Sequence, residues 1–446
     1  MEEFNADRKR NTHRWLWAAM GVSFRHNQNR VEMKQAGEWD ESSSLLPIIL
    51  LLKITCQVPI ILKCLEAVLN PFIGRPEMKK TFPSKVAYTG FWLLVAMFTM
   101  LSTAPADKQW YPYKVELPAS EETSKGENLV LAYTPLKKAA QDWSICAVFP
   151  HMKDSYWLAV DFGLFSEVKR QGVQMRLYEA GGYDNLPVQI RQIETCAAAG
   201  VDGIIIAAIS YHGLDAIVTR LHRQGVPVVD LVNGISSDKA AARSLVSFEE
   251  MGLRAGEYIA HRHPKGNQPA KVAWFPGPKE AGWVQDGDRG FRSGLSGSAV
   301  DIIDTRFGDT GRTVQSALIR QVLDTHADID YIAGTAVTAG AAVKILRTRG
   351  LSDRIKVVSY YFTPEVYREI KRGHILCAPT DSPVIQGRIA VDQMVRILEH
   401  KPYHAKVGPH IYIIDQNNID SFERETSLAP GGFRATYSTN IRLKAD

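Results

Sequence analysis

From Ser144 onward, short runs that are apolar throughout alternate with amphipathic stretches, and few folds accept that pattern. Ser144–Phe149 (SICAVF), Val173–Glu179, Gly203–Ala207 (GIIIA) and Pro227–Leu231 (PVVDL) read as strands. Trp157–Gln171, Leu186–Ala199 and Gly213–Gln224 read as the helices between them, with Gly172, Gly200 and Gly225 at their C-terminal stops. Strands without a polar face must be covered on both sides, which means a parallel α/β sheet between helical layers. The pattern then restarts. Helices are predicted at Met251–His261, Asp288–Leu295, Thr313–His326, Gly340–Arg349 and Pro383–His400. Strands are predicted at Lys271–Phe275, Val300–Phe307, Tyr331–Ala333 and Lys356–Tyr360, with a strand pair near the C-terminus. Two consecutive α/β units of similar size imply two lobes and a cleft between them.

In open α/β sheets ligands bind beyond the carboxyl ends of the strands. The loops this selects carry an unusual density of rings: Tyr156 and Trp157 after the first strand, Tyr183 in a Gly-Gly loop, Trp283 in a Gly/Pro loop, and Tyr360 with Tyr361. Asp381 follows Pro379-Thr380. Ring faces converging on a carboxylate suit a methylated cation or dipole, at ~0.5–2 kcal/mol per contact. The expected ligand-binding set is therefore Tyr156, Trp157, Tyr183, Trp283, Tyr360 and Asp381. Each has a plainer alternative. Tyr156-Trp157 can staple a helix, Trp283 can serve a hinge or a partner surface, and Asp154 can cap a helix. Trp274 reads as core, and His151 as a loop residue without a chemical role. Tyr360 and Tyr361 alternate across the sheet, so one of them faces the cleft. No G-x-S-x-G, H-E-x-x-H, Walker or G-x-G-x-x-G motif occurs, which favours binding over catalysis and implies no cofactor and no metal. The net charge of +5 is spread along the chain, without a tract for nucleic acid.

Residues 78–106 read as a signal peptide: Lys79, Lys80 and Lys85, an apolar run from Gly90 to Leu101, then Ala104-Pro105-Ala106. Met78 is then the expected start, residues 1–77 an upstream extension, and the exported protein begins near Asp107. The apolar run Ser44–Leu69 is broken by Pro47, Lys53, Pro59 and Lys63, which makes it a poor membrane span. Cys56 and Cys64 fall in the extension. Export into an oxidising compartment allows Cys146 and Cys196 to pair, joining the first strand to the second helix. Three buried free thiols, Cys377 included, are the alternative, and the spacing leaves the pairing open. An arm at 107–143 carries Trp110, Tyr111, Tyr113, Tyr133 and Trp143, which could lash the lobes, form a partner surface or pack loosely.

The runs PHMKDSYW and EAGGYDNL, continued by AISYHGL, PVVDLVNGISS, FPGPKEAGWV, YYFTPEVYREI and CAPTDSPVIQGRIAVDQM, carry a specific resemblance. Over most of 107–440 the chain resembles the TorT family within the ribose-type periplasmic binding proteins. The resemblance implies a two-lobed periplasmic binding protein fold with crossing hinge strands. One lobe would lie mainly in 144–250, the second mainly in 251–380, and 381–446 would cross the hinge. It further implies a periplasmic sensor that binds trimethylamine N-oxide and signals to a TorS-like histidine kinase controlling trimethylamine N-oxide respiration. A substrate-binding component of an ABC importer, for a sugar or other small solute, is the alternative. Sugar binders carry two phenylalanines where this chain has Tyr156-Trp157, and Asp, Arg and Asn where it offers Trp283, Ala336-Val337 and Tyr360-Tyr361. Each sugar hydroxyl left unpaired in such a site costs ~1 kcal/mol or more.

Overall fold

The computed structural model describes residues 22–27, 30–35, 109–118 and 128–439. In the first unit, Val22–Asn27 (β1) pairs antiparallel with Arg30–Gln35 (β2). The expected signal peptide, the run Ser44–Leu69, and Cys56 and Cys64 lie outside the described residues. No helix among the described residues is long and apolar enough to cross a membrane.

The second unit begins at Gln109. The arm is an antiparallel hairpin of Tyr113–Leu117 (β3) and Leu129–Tyr133 (β4). It extends a sheet whose parallel core is Ser144–Phe149 (β5), Gln174–Glu179 (β6), Gly203–Ile206 (β7), Val228–Leu231 (β8) and Ala242–Ser244 (β9). The eight strands run β4-β3-β15-β9-β8-β7-β5-β6, where β15 is Lys406–Pro409. Ser155–Gln171 (α1), Leu186–Ala198 (α2) and Asp215–Arg223 (α3) make the crossovers. The arm is therefore built into the first lobe. Trp110 donates to Glu167, Tyr133 donates to Asp392, and the Tyr113 hydroxyl pairs with Ser382 at 3.0 Å.

The chain leaves this lobe after β9. Phe248–Ala260 (α4) leads into a four-stranded parallel sheet, ordered β11-β10-β12-β13. Its strands are Ala270–Gly277 (β10), Val300–Phe307 (β11), Tyr331–Gly334 (β12) and Lys356–Ser359 (β13). Gly282–Leu295 (α5), Arg312–Thr325 (α6) and Ala336–Thr348 (α7) connect them. Strands β3, β4 and β9 escaped the sequence reading, as did Pro364–Lys371 (α8) and Cys377–Thr380 (β14). Thr363 caps α8 and Pro364 opens it, so Thr-Pro-Glu was the available signal. The expected C-terminal strand pair consists of two strands that join different sheets. β15 pairs with β9 and β3, whereas Tyr412–Asp415 (β16) pairs with β14.

The chain crosses between lobes at 380–383, where Pro383–Leu398 (α9) packs back against α1. Close approach is built in: a Cβ on Gly387 would sit 2.5 Å from the Val160 carbonyl oxygen. The C-terminal tail returns to the first lobe, where Tyr437 accepts from Leu177 N–H and Thr439 donates to Met175. A disulfide joins Cys146 on β5 to Cys196 on α2, with Cα atoms 6.0 Å apart, while Cys377 is a buried free thiol.

Candidate ligand-binding site

The site grows from the start of α1. Asp154 caps this helix, its Oδ1 accepting from the N–H groups of Tyr156 (2.9 Å) and Trp157 (3.3 Å). The capping carboxyl also lines a cavity between the lobes. Capping fixes Tyr156 and Trp157 in the first turn, beyond the end of β5. The Trp157 ring packs on Phe149 at 4.9 Å, so it belongs to the first lobe's core as well as to the cavity wall. Tyr156 meets Tyr361 of the second lobe edge-on at 5.4 Å.

Tyr183 and Trp283 face each other across the cavity, with ring centroids 6.1 Å apart. The Tyr183 hydroxyl accepts from the Asn233 side-chain amide at 2.9 Å. Trp283 lies in the first turn of α5 rather than in a loop, ringed by Phe248, Tyr360 and Tyr361 at about 6 Å. Its indole N–H is buried, makes no hydrogen bond of normal geometry, and interacts with the Tyr183 hydroxyl. Of the two adjacent tyrosines it is Tyr361 that lines the cavity. Tyr360 lies behind Trp283, against Trp274, and donates to the Pro276 carbonyl oxygen. Trp274 is core, stacked on Phe291 at 3.9 Å. Asp381 stands one layer out, at the lobe crossing, where its carboxylate accepts from the Tyr156 hydroxyl and from Gln386 at 2.7 Å.

Val232, Asn233, Phe248 and Thr310 complete the wall. Val232 has φ 65°, a conformation that costs a β-branched residue ~1–3 kcal/mol and clusters at functional sites. The cavity is small, about 20 Å³ on the measure by which one water needs ~10–15 Å³. Burial pushes the carboxyls of Asp154 and Asp381 up to about 6. His151, read from sequence as an idle loop residue, is fully buried and pairs through Nε2 with Thr310 of the second lobe at 3.0 Å. Burial lowers its pKa to about 4. Lys153 reaches Asp309, also on the second lobe, at 3.0 Å. These contacts define lobes closed upon the cavity.

Chemically, the cavity offers ring faces, the Asp154 carboxyl and an indole N–H without a hydrogen bond of normal geometry. Among the described residues no cluster of His, Cys, Asp and Glu could hold a metal ion.

The model of the family described as "Periplasmic binding protein domain" matches residues 145–402. Periplasmic protein TorT of Escherichia coli (strain K12) is 37% identical over 311 residues, covering 69% of this chain and 88% of the relative. A solute-binding protein of an ABC transporter from Bradyrhizobium sp. BTAi1, solved with bound Bis-Tris, is 48% identical with a TM-score of 0.65. That match covers 74% of this chain and all of the solved one. TorT in complex with the TorS sensor domain, solved without ligand and with TMAO, is 35% identical with a TM-score of 0.61, covering 66% of this chain and all of the solved chain.

Proposed function

The chain belongs to the periplasmic binding protein family as a TorT-like periplasmic member, and we propose that it binds trimethylamine N-oxide between its lobes and regulates a TorS-like sensor histidine kinase. The observation that carries this reading is the convergence of Tyr156, Trp157, Tyr183, Trp283 and Tyr361 around a small cavity between the lobes. The methyl groups, positively polarised by nitrogen, would lie against the rings and near Asp154. The N-oxide oxygen would accept from Trp283, giving a full partner to a buried donor that otherwise makes no hydrogen bond of normal geometry. Closure around the ligand would select the interlobe geometry read by the kinase, to the extent that affinity differs between open and closed forms. TorT solved on the TorS sensor domain supplies the analogy for the partner.

Isothermal titration calorimetry of the purified protein with trimethylamine N-oxide, trimethylamine and ribose tests the ligand. Saturable binding of the N-oxide, with ribose silent, is the expected outcome. Trp283→Phe retains a ring and loses the N–H, so affinity should fall by on the order of five- to tenfold. Unchanged affinity in that variant would remove Trp283 from the site.

A second reading, an ABC-importer receptor for a bulkier amine, is favoured by the Bradyrhizobium relative with Bis-Tris. Reconstitution with a TorS-like kinase separates the two, because a transport receptor leaves autophosphorylation unchanged by ligand.

A further inference from the structure

Strand β3 of the arm touches two of the segments by which the chain passes between the lobes. At the first, the Tyr113 hydroxyl pairs with that of Ser382 at 3.0 Å and also interacts with Thr426. At the second, between β15 and β16, the His410 N–H donates to the Lys114 carbonyl oxygen at 3.1 Å, and the His410 imidazole pairs with Glu116. The end of the hairpin is fixed to the first lobe, where Asp392 on α9 accepts from the Tyr133 hydroxyl and from the Leu136 N–H at 2.8 Å. The arm is thus anchored on one lobe and holds the crossings to the other.

Ser382 has φ 48°, a left-handed conformation that a residue with a side chain keeps only where its surroundings hold it. Its N–H donates to Thr380 Oγ1 at 3.2 Å, and its carbonyl oxygen accepts from the Gln386 N–H at 3.0 Å. Both of those partners belong to the crossing and the helix that follows it, whereas Tyr113 comes from the arm. The preceding residue, Asp381, is fully buried and accepts from the hydroxyl of Tyr156, a wall of the cage. Two adjacent residues of one crossing are therefore held, one by the cage and one by the arm.

We propose that Tyr113 is a positioning residue for the cage: its bond to Ser382 holds the crossing in the strained conformation that closes the lobes and sets Tyr156 against Tyr361. The proposal rests on the reading of the ring-lined cavity as the ligand site. Without the bond Ser382 is free to relax, the backbone at the crossing rotates, and the closed form loses population. Apparent affinity falls with the fraction of molecules that are closed.

The test joins small-angle scattering of the ligand-free protein to calorimetry with trimethylamine N-oxide, for the unaltered chain, Tyr113→Phe, Ser382→Ala and the double variant. Each substitution removes one hydroxyl, and Tyr113→Phe keeps the ring that packs with Val115, Tyr133 and Ile385. Each single variant is expected to raise the ligand-free radius of gyration, to regain the unaltered value at saturating N-oxide, and to bind it about three- to tenfold more weakly. The double variant should match Tyr113→Phe alone, because the bond is already lost. Ligand-free radii equal to that of the unaltered protein overturn the inference even if affinity or the thermal midpoint falls, since a merely structural tyrosine moves only those. Fully additive weakening in the double variant also overturns it, by showing that the two hydroxyls act separately. If the unaltered protein does not bind the N-oxide, the ligand reading fails and the ligand-free radii still decide whether Tyr113 holds the crossing.

Discussion

Asp161, Asp230 and Asp381 are carboxyl groups with no exposure to solvent. Desolvation drives the first two to about 7 and the third to about 6, from an ordinary value of 3.8. Each folded carboxyl therefore holds its proton more tightly than the unfolded one. The stability this contributes is complete below 3.8 and is lost as pH rises through 6 to 7. His151 runs the other way: its folded pKa is lowered from 6.5 to about 4, so its contribution is lost as pH falls through that interval. Between pH 8 and 6.5 Asp161 and Asp230 take up protons without opposition from His151. The thermal midpoint should rise on acidification across this window. Asp161→Asn keeps an acceptor for the Thr436 N–H and removes the charge, so it should flatten part of that rise. An unaltered slope in the variant would mean that Asp161 is not one of the groups titrating. The residue scale is also where sequence and structure part. Tyr156, Trp157, Tyr183 and Trp283 were legible because strand ends dictate where loops face. The choice between Tyr360 and Tyr361 was not legible, since it depends on the Tyr360 hydroxyl reaching Pro276 on β10. Val232 gave no signal, because nothing in a valine announces a positive φ.

Among the elements, the pair α4 and α5 shows why helix boundaries slipped. Helix α5 contains Gly282, Gly287, Gly290 and Gly294, each costing a helix ~1 kcal/mol relative to alanine. Read alone, that composition places the helix start at Asp288 and leaves Trp283 in a loop. Tertiary packing reverses the propensity: a Cβ on Gly290 would lie 1.8 Å from the Glu249 carbonyl oxygen, and one on Gly252 would lie 2.1 Å from that of Gly287. The glycines are the contact surface between the two backbones. Gly290→Ala must push α5 away from α4, and overpacking of this kind costs ~1–3 kcal/mol or more. Because Trp283 rides on the first turn of α5 and Phe248 on that of α4, ligand affinity should drop together with the denaturant midpoint. A variant with a normal midpoint would show that the helices separate without penalty.

At the scale of the molecule, two lobes were foreseeable from the alternation of elements, but their closed arrangement was not, because it depends on pairs brought together from distant sequence. His151 and Thr310 are the informative pair. Their hydrogen bond crosses the cleft in a fully buried setting, whereas the neighbouring Lys153–Asp309 bridge is partly solvated and worth ~1 kcal/mol or less. Thr310→Val retains shape and leaves the imidazole Nε2 without a partner, but only while the lobes are closed. In an open form water can take the vacant position. The penalty of ~1–3 kcal/mol therefore falls on closure, and apparent ligand affinity should fall roughly tenfold. Thr310 also lines the cavity, so affinity alone cannot assign its role. Small-angle scattering of the ligand-free protein supplies the second readout. A residue that latches the lobes should, when lost, raise the radius of gyration before any ligand is added. A residue that only touches ligand should leave the ligand-free dimensions unchanged while affinity drops, and that pattern would place the closing force in the ring contact between Tyr156 and Tyr361.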